Sequence, residues 1–283
     1  MIITEQIQKL IQLALQEDIG DGDHSSLSCI PASAEGEMRL LVKQNGILAG
    51  VDVAREILRQ VDENIQMTCL MQDGTEIHKG DIVFTLHGSS QKMLTAERTL
   101  LNFMQRMSGI ATTTHEYVDL VKDTDVTLLD TRKTTPNMRI FEKYAVKVGG
   151  AENHRFGLFD MMMLKDNHID FAGGLEKAID AANAYQKIHN QHLKIEVETR
   201  NLDEVQRVMK HGGVHRIMFD NFAPALICEA VKLVNHQYET EASGGIVKET
   251  LHDYAVTGVD YISIGAFTHH ISSLDMSLKT ILS

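Results

Sequence analysis

The chain has 283 residues and a formal net charge of −12 at pH 7, long enough for two domains or for one large α/β barrel. The acidic balance disfavours nucleic acid and anionic membrane surfaces as partners, and no apolar run reaches the roughly 18 residues of a membrane-spanning helix. Cys29, Cys69 and Cys228 are far apart and odd in number, so neither a disulfide framework nor a Cys-based zinc site is expected. A soluble protein of a reducing cytoplasm fits these features.

In chain order, MIITEQIQKLIQLALQED lacks the basic region and cleavage site of a leader. Its apolar residues at 7, 10, 11, 14 and 15 predict an amphipathic helix. The acidic DIGDGDHSS (18–26) lacks calcium-loop spacing and a closing Glu, and reads as a solvated loop. EMRLLVKQ and GILAG around Asn45-Gly46, a helix near VAREILRQV, IQMTCLMQ, a turn at Asp73-Gly74 and DIVFTLHG follow, then helical patterns from Gln91 to about Lys122. These turn signals between apolar runs predict an antiparallel α+β layer up to a boundary near residue 110.

From residue 126 the pattern changes. VTLLD, MMMLK, KIEVE, RIMFD, YETEAS and YISIG each end in a polar residue or glycine, then a turn and a helical stretch, at steps of 22 to 33 residues. Strands alternating with helices imply a parallel sheet, and six such units suggest an α/β barrel, complete or nearly so. Thr135-Pro136 reads as a cap followed by proline at the first helical position, with Gly149-Gly150 ending that helix. Asn201 reads as the cap of LDEVQRVMK.

In a parallel barrel the residues just past the strand ends converge on one mouth. Here they are Arg132 and Lys133, Lys165, Glu198, Asp220, Ser243-Gly244-Gly245 and Gly265. Residues 131–165 hold seven Lys/Arg against three acids, a cationic island in an acidic chain that suggests a small anionic ligand. Arg139, Lys143 and Lys147 in it fit a solvated helix face. Arg132, Lys133, Arg155 and Lys165 suit a ligand with more than one carboxylate, and His154 could donate to the same anion. Lys165 equally suits a Schiff-base nucleophile. The Ser-Gly-Gly turn and ISIGA suit a phosphate. Glu198 and Asp220, on adjacent strand ends, could share Mg²⁺ or flank a cationic transition state, or simply pair with nearby cations. Asp166, Asn167 and His168 fit a turn, and His269-His270 is too short to argue for a metal.

DTRKTTP, GGAENHR, LKDNH, EVE, FDN, SGGI and GVDYISIGA, with AERTLLNFMQRMSGIAT upstream, resemble the motifs of the quinolinate phosphoribosyltransferase family over roughly residues 10–275. The resemblance implies an N-terminal α/β sandwich (1–110), an incomplete TIM-like barrel (111–270) and a C-terminal helix (271–283) packing back on the first domain. It implies that quinolinate and phosphoribosyl pyrophosphate react with Mg²⁺ to give nicotinate mononucleotide, pyrophosphate and CO₂. By motif, Arg132, Lys133, His154, Arg155 and Lys165, with Thr131 beside them, would grip the quinolinate carboxylates or the pyrophosphate. Glu198 and Asp220 would face the ribose and its metal, with Lys133 and Lys165 the other groups nearest the chemistry. Ser243, Gly244, Gly245, Ser263 and Gly265 would hold the 5′-phosphate. Arg98 would enter a neighbouring subunit's site, so a homodimer at least is implied. Asn137 and Ala151 stand where glycine is expected, and HGGVHRI is one residue longer than the family pattern, which leaves Glu196 as an alternate to Glu198.

Overall fold

Thr4 accepts a hydrogen bond from the Ile7 amide and starts the helix Glu5–Ile19, whose Ile7, Ile11 and Leu15 are buried one turn apart. The computed structural model describes residues 1–281, and the chain divides into two compact units. Unit 1 comprises residues 1–115, 135–150 and 270–283; unit 2 comprises 116–134 and 151–269.

Unit 1 is built on an antiparallel sheet of β1 (Glu35–Val42), β5 (Ile82–Ser89), β3 (Gln66–Cys69) and the C-terminal strand Met276–Ile281, with β1 between β5 and the C-terminal strand. A separate two-stranded ribbon joins β2 (Gly46–Ile47) to β4 (Glu76–Ile77). The long helix Ser90–Asp119 supplies this unit with a buried stripe of Ala96, Leu100, Met104, Met107 and Ala111, at helical spacing. The α+β layer expected from the sequence is therefore present.

Two expectations fail here. The C-terminal segment is not a helix. Residues 276–281 pair antiparallel with β1, Met276 opposite Val42 and Ile281 opposite Glu37, and only Met276 and Leu278 turn inward. That is a period of two, which a strand satisfies and a helix does not. Nor does Pro136 open a helix. The Met138 amide donates to the Thr135 carbonyl, and Asn137 has φ 64°, so Thr135–Met138 is a turn with Pro and then a left-handed Asn at its centre. The helix starts at Arg139, and its buried Glu142 is held by Arg106 at 2.7 Å. Asn137 thus does what glycine would do.

Unit 2 contains six parallel strands: β6 (Thr127–Leu129), β7 (Met162–Leu164), β8 (Ile195–Thr199), β9 (Arg216–Asp220), β10 (Glu239–Ser243) and β11 (Tyr261–Ser263). Their order is β6-β11-β10-β9-β8-β7, each boundary lying within three residues of its sequence expectation. Helices Leu175–His189, Leu202–His211, Pro224–Val234 and Lys248–Ala255 follow β7 to β10, and Asn201 caps the second of these as expected. The ladder stays open between β6 and β7. Only a single bridge, Leu129 to Glu152, stands where a further strand would close it. The barrel is therefore incomplete, and its open sector holds the segment Ala151–Met161.

Candidate functional site

The ends of these strands enclose a cavity of about 480 Å³, wholly within unit 2. Twelve of the fourteen residues singled out from the sequence line it: Thr131, Arg132, Lys133, His154, Arg155, Lys165, Glu198, Asp220, Ser243, Gly244, Gly245 and Ser263. Gly265 does not, although it packs against Lys133 and His269. Arg98 lies in unit 1, exposed on the long helix.

The cations occupy one side. Arg132 and Lys133 follow β6, where the Lys133 amide donates to the Thr131 hydroxyl at 3.0 Å and the Thr268 hydroxyl donates to the Lys133 carbonyl at 2.8 Å. Among the described residues no carboxylate pairs with the Arg132 side chain, and its buried Nε has no hydrogen-bond partner. Arg155 reaches the Met161 carbonyl at 3.2 Å and the Met163 sulfur at 3.6 Å. Burial, and then the Arg132 charge, hold its pKa below the usual arginine value. Lys165 faces Glu198 at 3.5 Å.

The acids lie across from them. Glu198 is two residues past Glu196 on β8, so both side chains point the same way, but only Glu198 reaches the cavity. Burial is the main reason its pKa sits above the ordinary glutamate value; Lys165 pulls it down and Asp220 pushes it up. Asp220 ends β9 and accepts from the Asn221 side chain at 2.7 Å. Asn221, at φ 57°, also donates its amide to the Ser243 carbonyl at 2.8 Å. That contact seats Asn221 against Gly244, whose φ is 100° and where any Cβ would run into the Asn221 carboxamide. The Gly244-Gly245 backbone thus lies open to a ligand at the end of β10.

His154 closes the floor of the cavity, and its ring nitrogens turn into the protein. Nδ1 accepts the Arg155 amide at 2.6 Å, and Nε2 lies 3.0 Å from Glu196 and 3.3 Å from Glu241, close to both carboxylates but not aligned as a hydrogen bond to either. Burial disfavours the imidazolium, but the two carboxylates outweigh it and push the His154 pKa up to about 9. The Nδ1 contact argues for a different placement of that proton. An N–H can donate there only to a lone pair, so the ring is held as the Nε2–H tautomer. Burial and the Glu241 charge raise the Glu196 pKa above the ordinary glutamate value, against the pull of His154. Burial pushes the Glu241 pKa up, but the His154 ring and Arg216 outweigh it and hold it below the ordinary glutamate value.

Sequence reasoning missed four residues that shape the site. Asp130, fully buried at the end of β6, accepts the His154 amide at 2.8 Å and the Asn153 side chain at 2.7 Å, and so fixes the loop that carries both His154 and Arg155. Asn221 sets the glycine turn. Glu241 and Arg216 lie inside the strands YETEAS and RIMFD, where a charge at an inward position was the available signal. Asp166, Asn167 and His168 do not form the turn expected: they open the helix Asp166–Ala172, with His168 Nδ1 accepting the Lys165 amide at 3.0 Å at its N-terminus. Asp23, in the acidic N-terminal loop, caps the short helix His24–Cys29.

Among the described residues, the one cluster with three metal-ligating side chains is His154, Glu196 and Glu241. A histidine that binds metal through Nε2 carries its proton on Nδ1, and here Nδ1 accepts an N–H. Glu198 and Asp220 instead present oxygen donors only, at the cavity mouth, which suits a hard cation such as Mg²⁺.

Comparison with known proteins agrees over the whole chain. Residues 23–108 match the N-terminal domain and residues 110–279 the C-terminal domain of quinolinate phosphoribosyl transferase. "Quinolinate phosphoribosyltransferase [decarboxylating] 1b" of Nicotiana tabacum is 43% identical over 98% of this chain and 83% of its own length. "Probable nicotinate-nucleotide pyrophosphorylase [carboxylating]" of Bacillus subtilis is 42% identical over 98% and 94%. The solved nicotinate-nucleotide pyrophosphorylase from Francisella tularensis superposes with a TM-score of 0.92 at 38% identity, over 99% of this chain and 98% of that one. No helix among the described residues is long and apolar enough to cross a membrane. The chain belongs to the quinolinate phosphoribosyltransferase family.

Proposed function

We propose that this chain catalyses decarboxylating phosphoribosyl transfer, joining quinolinate to phosphoribosyl pyrophosphate and releasing nicotinate mononucleotide, pyrophosphate and CO₂. The observation that carries this reading is a single cavity in which Arg132, Lys133 and Arg155 converge, without carboxylate partners among the described residues, opposite two acids and an open glycine turn. A dianionic pyridine supplies the negative charge the cations lack, and a phosphosugar fits the acid and glycine side.

The chemistry needs little from the protein beyond placement and charge. As the ring nitrogen displaces pyrophosphate, positive charge develops at the anomeric carbon, and Glu198 and Asp220 are placed to stabilise it. Arg132, Arg155 and the two lysines bind the anions and fix their approach. The positive charge on the ribosylated nitrogen then stabilises the electron pair left on the adjacent ring carbon as its carboxylate departs as CO₂, and a proton from solvent completes that carbon, so the step calls for no protein base. Glu198 and Asp220 would hold Mg²⁺, which when bound supplies charge neutralisation for the departing pyrophosphate. Ser243, Gly244, Gly245 and Ser263 take the 5′-phosphate. His154 works from the floor, through Arg155.

Arg98, exposed on a helix of unit 1, completes the site of a second copy in a homodimer. Mixing Arg98→Ala with Lys133→Ala chains, each inactive alone, tests this through recovered turnover. The three free cysteines support a reducing, cytoplasmic setting. The deciding experiment combines pure protein, quinolinate, phosphoribosyl pyrophosphate and Mg²⁺. Nicotinate mononucleotide and CO₂ in equal amounts are expected, and their absence with both substrates bound overturns the reading. Nicotinate as competitor distinguishes a related enzyme acting on another heteroaromatic acid. Borohydride trapping of a carbonyl substrate on Lys165 would favour an aldolase instead.

A further inference from the structure

The barrel interior beneath the cavity contains a chain of buried charges that the reaction itself does not use. Arg216 begins β9 and is only 7% exposed. Its guanidinium stacks 3.9 Å over the Tyr261 ring and forks to two glutamates of β10: Glu239 at 3.0 and 3.1 Å, and Glu241 at 2.8 Å. Glu241 is fully buried. The oxygen that accepts from Arg216 is the one 3.3 Å from His154 Nε2. On the far side of the imidazole, Nδ1 takes the Arg155 amide, while the His154 amide is tied to Asp130.

We propose that Glu241 and Arg216 are positioning residues for the quinolinate site: Arg216 fixes Glu241, Glu241 fixes the His154 ring, and the ring fixes the Arg155 peptide from which the cavity's central guanidinium extends. This rests on the reading above that the cavity binds quinolinate. Each link has one geometry. The Arg216 fork is planar and spans both glutamates, so it sets the Glu241 rotamer. With Nδ1 accepting and Nε2–H turned to the carboxylates, the imidazole has one orientation and one tautomer. Arg155 is helped by such a hold because the Arg132 charge repels it, the Glu196 and Asp160 charges attract it only in part, and among the described residues the hydrogen-bond partners of its side chain are a carbonyl and a thioether. A buried ion chain contributes little net stability, so orientation is the effect to be measured. The charged groups around His154 are Glu196 on β8, Glu241 on β10 with Arg216 behind it on β9, Asp130 after β6, and the neighbouring Arg132 and Arg155.

Glu241→Gln keeps the side-chain volume and leaves Arg216 its Glu239 partner. Isothermal titration should show the quinolinate Kd rising about tenfold to a hundredfold, on the scale known for losing the outer hydrogen-bond partner of a metal-bound histidine. The phosphoribosyl pyrophosphate Kd should stay within about twofold, a split that general loosening of the fold would not produce. Arg216→Met alone strands Glu241 as a buried charge, so it is combined with Glu241→Gln. The double variant should lose no more quinolinate affinity than Glu241→Gln, as coupled residues do. Equal losses for both substrates, an unchanged quinolinate Kd, or additive losses overturn the proposal. Spectra of ¹⁵N-histidine-labelled protein, with His154 assigned by its absence in His154→Gln, report the ring without ligand. The Nε2–H signature should be present in the wild type and altered in Glu241→Gln. If the wild type binds no quinolinate while that signature still changes, the functional reading falls and the positioning chain stands. If the wild type binds quinolinate and the signature is unchanged in Glu241→Gln, the positioning chain falls.

Discussion

Arg132→Ala separates binding from folding at the position where the sequence first suggests an anion site. The Arg132 side chain has no carboxylate partner among the described residues, and its Nε–H is buried without an acceptor. Leaving such a donor unsatisfied costs about 1–3 kcal/mol, and the neighbouring Arg155 charge adds repulsion. Truncation relieves both but loses the packing of the arginine stem. A net gain of about 1 kcal/mol is a reasonable balance, and for a domain of this size it raises Tm by about 2–4 °C. Quinolinate pulls the other way. A charge-assisted bond to a carboxylate contributes about 1.5–3 kcal/mol, so the quinolinate KM should rise roughly 10- to 150-fold. With quinolinate saturating, kcat should change less, because the contact exists before and during transfer. Steady-state kinetics at saturating phosphoribosyl pyrophosphate and a thermal melt on the same preparation measure both effects. A Tm lower by several degrees would return Arg132 to a structural role, and an unchanged quinolinate KM would remove it from the carboxylate site.

Gly244→Ala forces a side chain onto a backbone at φ 100° and into the Asn221 carboxamide. A strain of about 1–3 kcal/mol should appear as a higher KM for phosphoribosyl pyrophosphate, with the quinolinate KM unchanged; equal effects on both would argue against separate subsites. Glu142→Gln breaks the Glu142–Arg106 pair in unit 1. Because the Arg106 side chain is 28% exposed, the cost is put at about 2 kcal/mol rather than the 3–5 of a fully buried pair. Tm should fall and both KM values should hold, and altered kinetics would show that unit 1 reports to the site. Glu198, raised by burial, ionises only as pH climbs past the ordinary glutamate value of 4.5, so the acid limb of kcat/KM should lie above that value. Lys165 holds the limb down and Asp220 holds it up. Lys165→Met should therefore move it to higher pH and Asp220→Asn to lower pH, and a limb indifferent to both belongs to another group.

The parallel strands were legible because most of them are apolar runs buried on both faces and each is followed by a polar residue or glycine. Where two local solutions share one signal, the sequence left the choice open. Proline at the first position of a helix and proline at the second position of a turn have the same φ, so TTPN could not reveal that Asn137 takes the left-handed conformation. MSLKTI carries a period of two over six residues, too short to decide against a helix, and its partner β1 lies more than 230 residues away in the chain. The buried charges were nearer to legible than the reading allowed. In KIEVE and YETEAS, glutamates alternate with residues facing the helix layer, so Glu196 and Glu198, and likewise Glu239 and Glu241, had to point into the barrel. Only the acids at the strand ends stood out, and those one pleat below them, at the same inward face, did not.

The open sector of the barrel is what lets His154 and Arg155 act together. Along a strand, consecutive side chains point to opposite faces, so in a closed barrel only one of two adjacent residues could face the interior and the other would enter the helix layer. Here the ladder stops after one bridge at Glu152, and Asp130 takes over the pairing by accepting from Asn153 and from the His154 amide. Freed from the pleat, both side chains line the same cavity: the imidazole at its floor against Glu241, the guanidinium beside Arg132. Completing the strand would improve the hydrogen-bond ladder and remove one of the two. Ala151, where glycine was expected, fits this account, since it lies buried just before the bridge, in backbone that any residue can adopt. The specialised conformation begins after it, where the chain leaves the sheet.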